Sequence, residues 1–511
     1  MWCWIALALL VFPSSFSLAQ SATVPSPQAA ALRRTITVNP EQVWAEWEGW
    51  GSSLSWWAHA VGGSGNANTF ADLLYTIGDV TVGDDRYPGL GFNIVRYNVG
   101  GGGVDEPEER KSPKMPAFRD IHGFWTDPPS AISPHGTWDW TLDPDQRAIM
   151  QMARQRGADG FELFSNAPMW WMTTDRSSDG SVTGGDCLAP AHYDDFATYL
   201  ATVAKHARDE WGIRFLSVEP FNEPSADWWK YPNRQEGCHF DPGTQKIIIG
   251  KLRAALDAAG LHDMPIAGSD ENDPDVALRT WNDFDAATRA RISRVNVHGY
   301  RAGTYIYRGT NMPVLHDAAG GKPLWMSEYG DGDATGATLA QTIIFDIRGL
   351  HPRAWVYWQP VEPERSGWGL LNADYVDTGD KPTPSTVTPI TQVNRKYFVF
   401  GQFTRYIRPG MRIVNIDDAN SIAAYDETAH KVVIVVQTGA VAGEVQFDIS
   451  RFAGTGTSYT RITTSTAARR EHADRKLAAE APVKMAPGTK NISISLYPDA
   501  VETIVIDGAY R

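Results

Sequence analysis

Cysteine is scarce in this sequence, with three residues among 511. Cys3 lies in the apolar N-terminal segment, which leaves Cys187 and Cys238 for the rest of the chain. Two cysteines cannot build a structural zinc site, and no HExxH or paired CxxC motif is present, so we expect no metal and no cofactor. In an oxidising compartment the even pair favours one disulfide, with two unpaired buried thiols as the alternative.

Positive charge is also in short supply. The 46 Lys and Arg residues stand against 60 Asp and Glu residues, and the formal net charge is −14. Nucleic acids and anionic membrane surfaces repel such a protein, so we expect neither as a partner. Beyond the N-terminal segment no apolar run is long enough to cross a bilayer. We expect a soluble globular protein, and a monomer.

The N-terminal sequence MWCWIALALLVFPSSFSLAQ is typical of a secretory signal. Its apolar run from Trp4 to Phe12 is too short to span a membrane, and Ser17-Leu18-Ala19 resembles a cleavage site. We therefore predict a signal peptide over residues 1–19, a flexible leader over 20–34, and a secreted, extracellular protein.

Strand-like and helix-like segments alternate from about residue 48 to residue 392. The strand-like segments are short and rich in β-branched and aromatic residues, and amphipathic helical stretches separate several of them. Eight alternations predict an α/β fold, a (β/α)₈ TIM barrel over residues 48–392. The predicted strands are Gly51–Ser55, Asn93–Asn98, Gly160–Ser165, Arg214–Phe221, Met264–Ala267, Arg294–His298, Pro323–Ser327 and Ala354–Trp358.

The pattern changes after residue 392. Segments such as EVQFDIS, NISISLYP and VETIVIDG alternate with period two and are separated by turn residues, which indicates an antiparallel β-sandwich over residues 393–511. The segment TITVNP, beginning at Thr35, has the same character. We expect residues 35–47 to form a strand that joins this sandwich.

Two glutamates close predicted barrel strands. Asn222-Glu223-Pro224 ends the fourth strand, and Ser327-Glu328-Tyr329 ends the seventh. Because the active site of a (β/α)₈ barrel lies at the carboxyl ends of its strands, both glutamates should face one cleft. Such a pair suits a glycosidase, in which one carboxyl group donates a proton and the other attacks. The alternative for either glutamate alone is a salt-bridged strand end.

Polar and flat side chains follow the other strand ends. Arg96 ends the second strand, where a guanidinium would keep a neighbouring carboxylate ionised. Tryptophans around one barrel mouth favour stacking on sugar rings. The predicted substrate-binding residues are Asn222, Arg96, His298, Tyr300, Trp358, Trp170 and Trp56.

Three other features are set apart from this site. Glu219, four residues before Glu223, is interpreted either as a group that supports the catalytic residues from behind or as a buried paired group. The acidic segment SDENDPD (residues 269–275) does not have EF-hand spacing, and a solvated loop is predicted. The glycine run 100–103 is not followed by the Lys-Ser or Lys-Thr of a phosphate loop.

Several of these segments together resemble glycoside hydrolase family 30, and more narrowly its fungal endo-β-1,6-galactanases. They include WEGWGSSLSWWAHAVGG, LGFNIVRYNVGGG, FELFSNAPMWWM, SVEPFNEPSADWW, QEGCHF, VNVHGYR, WMSEYGDGDATG and WVYWQP. The PVEPERSGWG loop (residues 360–369) is longer and more charged than the family pattern.

The resemblance implies a retaining hydrolase in which Glu223 is the acid/base and Glu328 the nucleophile. The implied substrate is the β-1,6-galactan of plant arabinogalactan, a cell-wall polysaccharide. A β-1,6-glucanase and an exo-acting β-galactosidase are alternatives within the family. A catalytically inactive carbohydrate-binding protein is the alternative from another class, and the presence of both glutamates disfavours it.

Overall fold

The computed structural model describes residues 34–300, 311–363, 367–375, 387, 389–441, 443–454, 456–467 and 474–511. The signal peptide and nearly all of the leader predicted from sequence lie outside these residues. Among the residues described, none of the helices has the length and apolar character needed to cross a bilayer.

Eight parallel strands form a closed barrel, and the predicted fold class is confirmed. The eighth strand returns to the first, with Ala354 opposite Gly49. The fourth strand is shorter than predicted because Pro220 lacks the N–H that would continue the ladder. The fifth is longer and extends into the acidic segment. The barrel strands are Gly49–Ser53, Ile94–Asn98, Gly160–Phe164, Ser217–Glu219, Ile266–Glu271, Ile292–His298, Leu324–Tyr329 and Ala354–Tyr357.

Amphipathic helices cover the outside of the barrel. In Tyr193–His206, for example, Phe196, Leu200 and Val203 recur at helical spacing and are fully buried. The α-helices are Trp57–Val61, Ala67–Tyr75, Pro144–Gln155, Tyr193–His206, Pro242–Ala258, Pro274–Asp283, Ala286–Arg291, Met312–Ala318, Ala337–Leu350 and Arg395–Thr404. A π-helical turn spans Ala207–Trp211, and 3₁₀ turns span Glu108–Arg110, Ala117–Arg119, Trp170–Met172 and Pro190–His192.

The strand Arg34–Glu46 connects two parts of the sandwich. Its residues from Val38 onward pair antiparallel with Arg412–Ile416, and its first residues pair with Gly443–Asp448. This second pairing is parallel, which departs from the antiparallel prediction. The other strands are Ser421–Asp426, Lys431–Gln437, Ser458–Ser465, Ala478–Ala479, Val483–Lys484, Asn491–Leu496 and Ala500–Asp507. Short strands at the barrel surface are Asp79–Val82, Asp85–Pro88, Trp125–Asp127, Thr137–Trp138, Val361–Glu362, Leu371–Ala373 and Ile390–Val393.

The strand Lys431–Gln437 shows how the two parts pack together. Val432, Ile434 and Val436 lie in the core of the sandwich. Val433 and Val435, on the opposite face, belong to the core that includes the barrel. Burial on both faces explains why this strand reads as a continuous apolar run.

Candidate active site

Glu223 and Glu328 face each other at the mouth of the barrel. One carboxylate oxygen of Glu223 lies within 4.8 Å of one carboxylate oxygen of Glu328, and both residues are buried. Glu223 has a φ of 47°, in the left-handed region that non-glycine residues rarely adopt. Its N–H donates to the Asp270 carbonyl at 2.9 Å, and its carbonyl accepts from Trp229 Nε1 at 2.9 Å. These two bonds hold the backbone in a conformation that aims the carboxylate at its partner.

Arg96 forms the centre of the charge network below the glutamates. Its side chain is fully buried, and its Nη1 lies 3.4 Å from Glu328 Oε2. Its Nη2 donates to Asp270 at 2.5 Å and its Nε to Glu162 at 2.9 Å. Burial alone would lower the pKa of Arg96, but the charges of Asp270, Glu162 and Glu328 raise it overall. The structure places Arg96 beside Glu328, the carboxylate that it was predicted to keep ionised.

His298 connects the two glutamates to Asp270. Its Nδ1 lies 3.2 Å from Glu223 Oε1 and 3.6 Å from Glu328 Oε1, and its Nε2 lies 3.1 Å from Asp270. Burial opposes the charged imidazolium, but the charges of Glu328 and Asp270 raise the pKa of His298 well above its usual value. When protonated, His298 donates a hydrogen bond from Nδ1 to Glu223, and its Nε2 faces the Asp270 carboxylate as an ion pair. Glu223, His298 and Glu328 also have ligand atoms within 4.8 Å of one another, which is the spacing of a metal site.

Burial perturbs the carboxyl group of Glu328. Burial raises its pKa to about 7, although His298 and Arg96 both act to lower it. Tyr300 hydrogen-bonds to Glu328, and burial together with this carboxylate raises the pKa of the phenol well above its usual value. The ionised form of Glu328 therefore depends on the two cations beside it.

The acidic segment 269–275 is not the solvated loop that the sequence predicts. Ser269, Asp270 and Glu271 lie in the buried end of the fifth barrel strand. Asn272 follows, and its Nδ2 donates to Glu223 Oε1 at 2.7 Å. The rule that strand ends carry the site identifies these residues once the fifth strand is extended.

Glu219 is buried, and of the two interpretations the structure contradicts the paired group. Neither of its carboxyl oxygens has a hydrogen-bond partner among the residues described. Burial, with the negative charges of Asp270 and Glu162, raises its pKa well above the usual value, and Arg96 only partly opposes this. Burial thus favours the protonated form of Glu219 beneath the mouth. Glu162, which the sequence analysis missed, instead accepts hydrogen bonds from Arg96, Ser217 and Asn296.

The tryptophans predicted to stack on sugar rings, Trp56, Trp170 and Trp358, are buried and do not form an open circle around the mouth. Trp56 and Trp358 meet edge to face at 5.0 Å, and the Arg119 guanidinium lies 4.0 Å above the Trp56 ring. Trp170 lies elsewhere on the mouth, with Arg176 4.8 Å above its ring. Asn222, beside Glu223, is buried, and its Oδ1 has no hydrogen-bond partner in the part of the chain that the structure describes.

The glycine run 100–103 does hold a carboxyl group, but this group is a side chain of the same protein, Glu236, whose pKa is raised well above its usual value by burial. The N–H groups of Gly101 and Gly102 donate to Glu236 Oε1 at 3.1 and 2.9 Å. A Cβ at Gly103 would lie 2.5 Å from Trp170 Nε1, so only glycine allows this approach. Glu236 thereby fixes the loop against which Trp170 packs.

A disulfide joins Cys187 to Cys238, two residues beyond Glu236. It closes a loop with a sequence separation of 51 and ties the segment that follows the third strand to the one that follows the fourth. Close by, Asp186, His239 and Asp241 also have ligand atoms within 4.8 Å of one another. Both Asp186 oxygens already accept hydrogen bonds, from Asp241 N and Thr244 Oγ1. Asp186 therefore holds the start of the helix Pro242–Ala258.

We expect the Cys187→Ser, Cys238→Ser double variant to lose about 2–4 kcal/mol of unfolding free energy, because the open loop gains conformational entropy when the chain unfolds. Denaturant titration of the double variant beside wild type measures this. Peptide mapping without reductant should recover the cross-linked peptide from wild type. Two free thiols in the wild-type protein would contradict the assignment.

A closed barrel with two buried carboxyl groups facing each other at its mouth, backed by an arginine and a histidine, defines a glycoside hydrolase. Residues 33–271 match the model of O-Glycosyl hydrolase family 30. The chain is 42% identical over 429 residues to an endo-beta-1,6-galactanase from Hypocrea rufa, with coverage of 83% of this chain and 85% of that protein. The chain belongs to glycoside hydrolase family 30.

Solved structures share the fold at low sequence identity. A conserved exported protein from Bacteroides fragilis superposes with a TM-score of 0.74 at 18% identity, covering 92% of this chain and 100% of that one. The catalytic domain of GH30 xylanase C from Talaromyces cellulolyticus gives 0.66 at 18% identity, covering 93% and 100%. These likenesses support the barrel and its appended sandwich.

Proposed function

We propose that this protein is a secreted, monomeric endo-β-1,6-galactanase that cleaves the β-1,6-galactan side chains of arabinogalactan with retention of configuration. The observation that carries the proposal is the approach of the Glu223 and Glu328 carboxylates to within 4.8 Å. Retaining glycosidases place their carboxyl groups about 5–5.5 Å apart, whereas inverting enzymes need a wider gap to admit a water molecule. The 42% identity to a galactanase supports the choice of sugar.

In the first step the Glu328 carboxylate bonds to C1 of the galactosyl unit. The glycosidic C1–O bond breaks, and Glu223 gives its proton to the leaving oxygen. Arg96 and His298, the two cations beside Glu328, keep this carboxylate ionised before attack and stabilise it as it leaves.

In the second step Glu223 takes a proton from water, and the water oxygen bonds to C1. The C1–O bond to Glu328 breaks, and the carboxylate is released. Two inversions at C1 give net retention. Asn272, at 2.7 Å from Glu223, and His298 orient that carboxyl group for both of its roles.

Unpartnered polar atoms around the mouth support a sugar ligand. Trp56 Nε1, Asn222 Oδ1 and both amide atoms of Asn166 are buried without hydrogen-bond partners among the residues described. Such groups are costly unless a ligand satisfies them, and sugar hydroxyls both donate and accept. Asn166 directly follows the third barrel strand, and its own N–H is held by Asn98 Oδ1 at 3.1 Å.

The choice of sugar is tested by comparing β-1,6-galactan with β-1,6-glucan. Galactose and glucose differ at C4 alone, and a site that hydrogen-bonds one hydroxyl orientation leaves polar groups unpaired with the other. We expect a preference for the galactan of on the order of 100-fold in kcat/KM. Thin-layer chromatography of early products should show a ladder of oligosaccharides. Comparable rates on both polymers would favour the glucanase, and galactose alone as the first product would favour an exo-acting enzyme.

A further inference from the structure

Two tryptophans stand out because they are exposed. Of the tryptophans that the structure describes, only Trp228 and Trp368 have more than a third of their surface accessible, at 46% and 37%. The others are buried or half-buried. An exposed indole is the kind of apolar surface that needs an explanation when it lies beside a binding cleft.

Trp228 belongs to the segment that carries Glu223. It meets Trp229 edge to face at 6.2 Å, and Trp229 is buried and donates its Nε1 to the Glu223 carbonyl. The Trp228 carbonyl also accepts from Asn233 Nδ2 at 3.1 Å. The exposed Trp228 ring therefore belongs to a segment that hydrogen bonds hold next to Glu223, the proposed acid/base.

Trp368 belongs to the loop after the eighth strand. Its ring packs over Gly330, two residues beyond Glu328, where a Cβ would lie 2.9 Å from the indole. Its carbonyl accepts a hydrogen bond from the Tyr357 hydroxyl. In the closed barrel the fourth and eighth strands are four positions apart, so Trp228 and Trp368 lie on opposite sides of the mouth.

The galactosyl units of the proposed substrate have an apolar face that can stack on an exposed indole ring. In β-galactopyranose the axial hydroxyl at C4 leaves the C–H bonds of C3, C4 and C5 on one face, and that apolar face stacks on an aromatic ring. A β-1,6 linkage contains one more rotatable bond than a linkage through a ring carbon. A chain of such linkages therefore loses more conformational entropy when it binds, and rigid aromatic surfaces in the site reduce the further cost of ordering the protein.

We propose that Trp228 and Trp368 are stacking platforms for galactosyl units on either side of the cleaved linkage. Trp228, on the side of the proton donor, holds the leaving-group part of the chain. Trp368 holds a unit toward the non-reducing end. This inference rests on the proposed function and explains how the site would cleave within a chain.

The test uses β-1,6-galactohexaose labelled at its reducing end, with fragment lengths read by mass spectrometry. Trp228→Ala should weaken the leaving-group side, so that the labelled fragment becomes shorter. Trp368→Ala should make it longer. Each variant should also lose about tenfold in kcat/KM on long galactan, relative to its kcat/KM on an aryl β-galactobioside. Trp228→Phe keeps a ring and should recover most of the loss.

The control is Tyr510→Ala, which removes an equally exposed aromatic ring at the C-terminal end of the chain, in the sandwich part, and should shift neither pattern. Two outcomes would overturn the inference while leaving the proposed function intact. Both alanine variants could give the fragment pattern of wild type, or each could lose the same factor in kcat/KM on the polymer and on the short glycoside. Failure of wild type to cleave the hexaose would instead refute the proposed function.

Discussion

Glu328→Ala should abolish turnover of β-1,6-galactan, with a loss of on the order of 10⁴-fold or more in kcat, because no other group can form the covalent intermediate. The same loss is expected on an aryl β-galactoside, since good leaving groups still need the nucleophile. Glu223→Ala should lose comparable activity on galactan. It should nevertheless form the glycosyl-enzyme from the aryl galactoside, whose leaving group needs no proton.

The measurement is a burst of aryl alcohol followed by slow turnover in Glu223→Ala, and no burst in Glu328→Ala. Thermal unfolding of both variants beside wild type controls for misfolding. A burst from Glu328→Ala would show that the roles of the two glutamates are reversed.

Glu162→Gln and Glu219→Gln should behave in opposite ways, although both residues are fully buried and lie on neighbouring strands. Glu162 accepts from Arg96 at 2.9 Å, from Ser217 at 2.7 Å and from Asn296 at 2.9 Å, and it pairs with Arg294. A neutral amide there removes one of the three carboxylates that surround Arg96 and the carboxylate that pairs with Arg294. It also places an N–H donor opposite the N–H donors of these side chains. Breaking such a buried ion pair costs about 3–5 kcal/mol.

We therefore expect Glu162→Gln to lose about that much unfolding free energy and, because Arg96 no longer holds its position beside Glu328, on the order of 10³-fold in kcat/KM. Glu219→Gln is the matched control. Burial already favours the neutral form of its carboxyl group, so the amide should keep near-normal activity. Denaturant titration and galactan kinetics on the two variants provide the measurement.

The pH dependence of stability offers a second readout for Glu219. Its pKa is raised in the folded protein, so the folded state keeps a proton that the unfolded state releases above about pH 4.3. Wild type therefore loses stability as pH rises from that point toward the folded pKa. Glu219→Gln should remove this loss and be relatively more stable at pH 7 than at pH 4. Inactivity of Glu219→Gln with normal Glu223→Ala turnover would mean that the wrong glutamate carries the chemistry.

The barrel was predictable because each buried strand is a short apolar run and the helices between them are amphipathic. The pairing of Glu223 with Glu328 followed from a topological rule, since parallel strand ends meet at one mouth. Both inferences use only the order of elements along the chain.

The charge network under the site was not predictable in the same way. Glu162 and Asp270 lie inside strands. The composition of a strand does not show which carboxylate accepts a hydrogen bond from Arg96 and which one, like Glu219, lacks a hydrogen-bond partner among the described residues. The segment around Asp270 reads as hydrophilic because its neighbours Glu271 and Asp273 are acidic. In the structure Glu271 accepts from Ser225, and Asp273 caps a helix. Those partners are distant in sequence or depend on local backbone geometry.

The most direct test of the roles of Glu223 and Glu328 is the anomeric configuration of azide products, read by proton NMR. Azide is small enough to occupy the space of either missing carboxylate. In Glu328→Ala it should displace the leaving group from the nucleophile's side and give an α-galactosyl azide. In Glu223→Ala it should attack the intermediate on Glu328 and give the β-galactosyl azide. An α-galactosyl azide from Glu223→Ala would contradict the account.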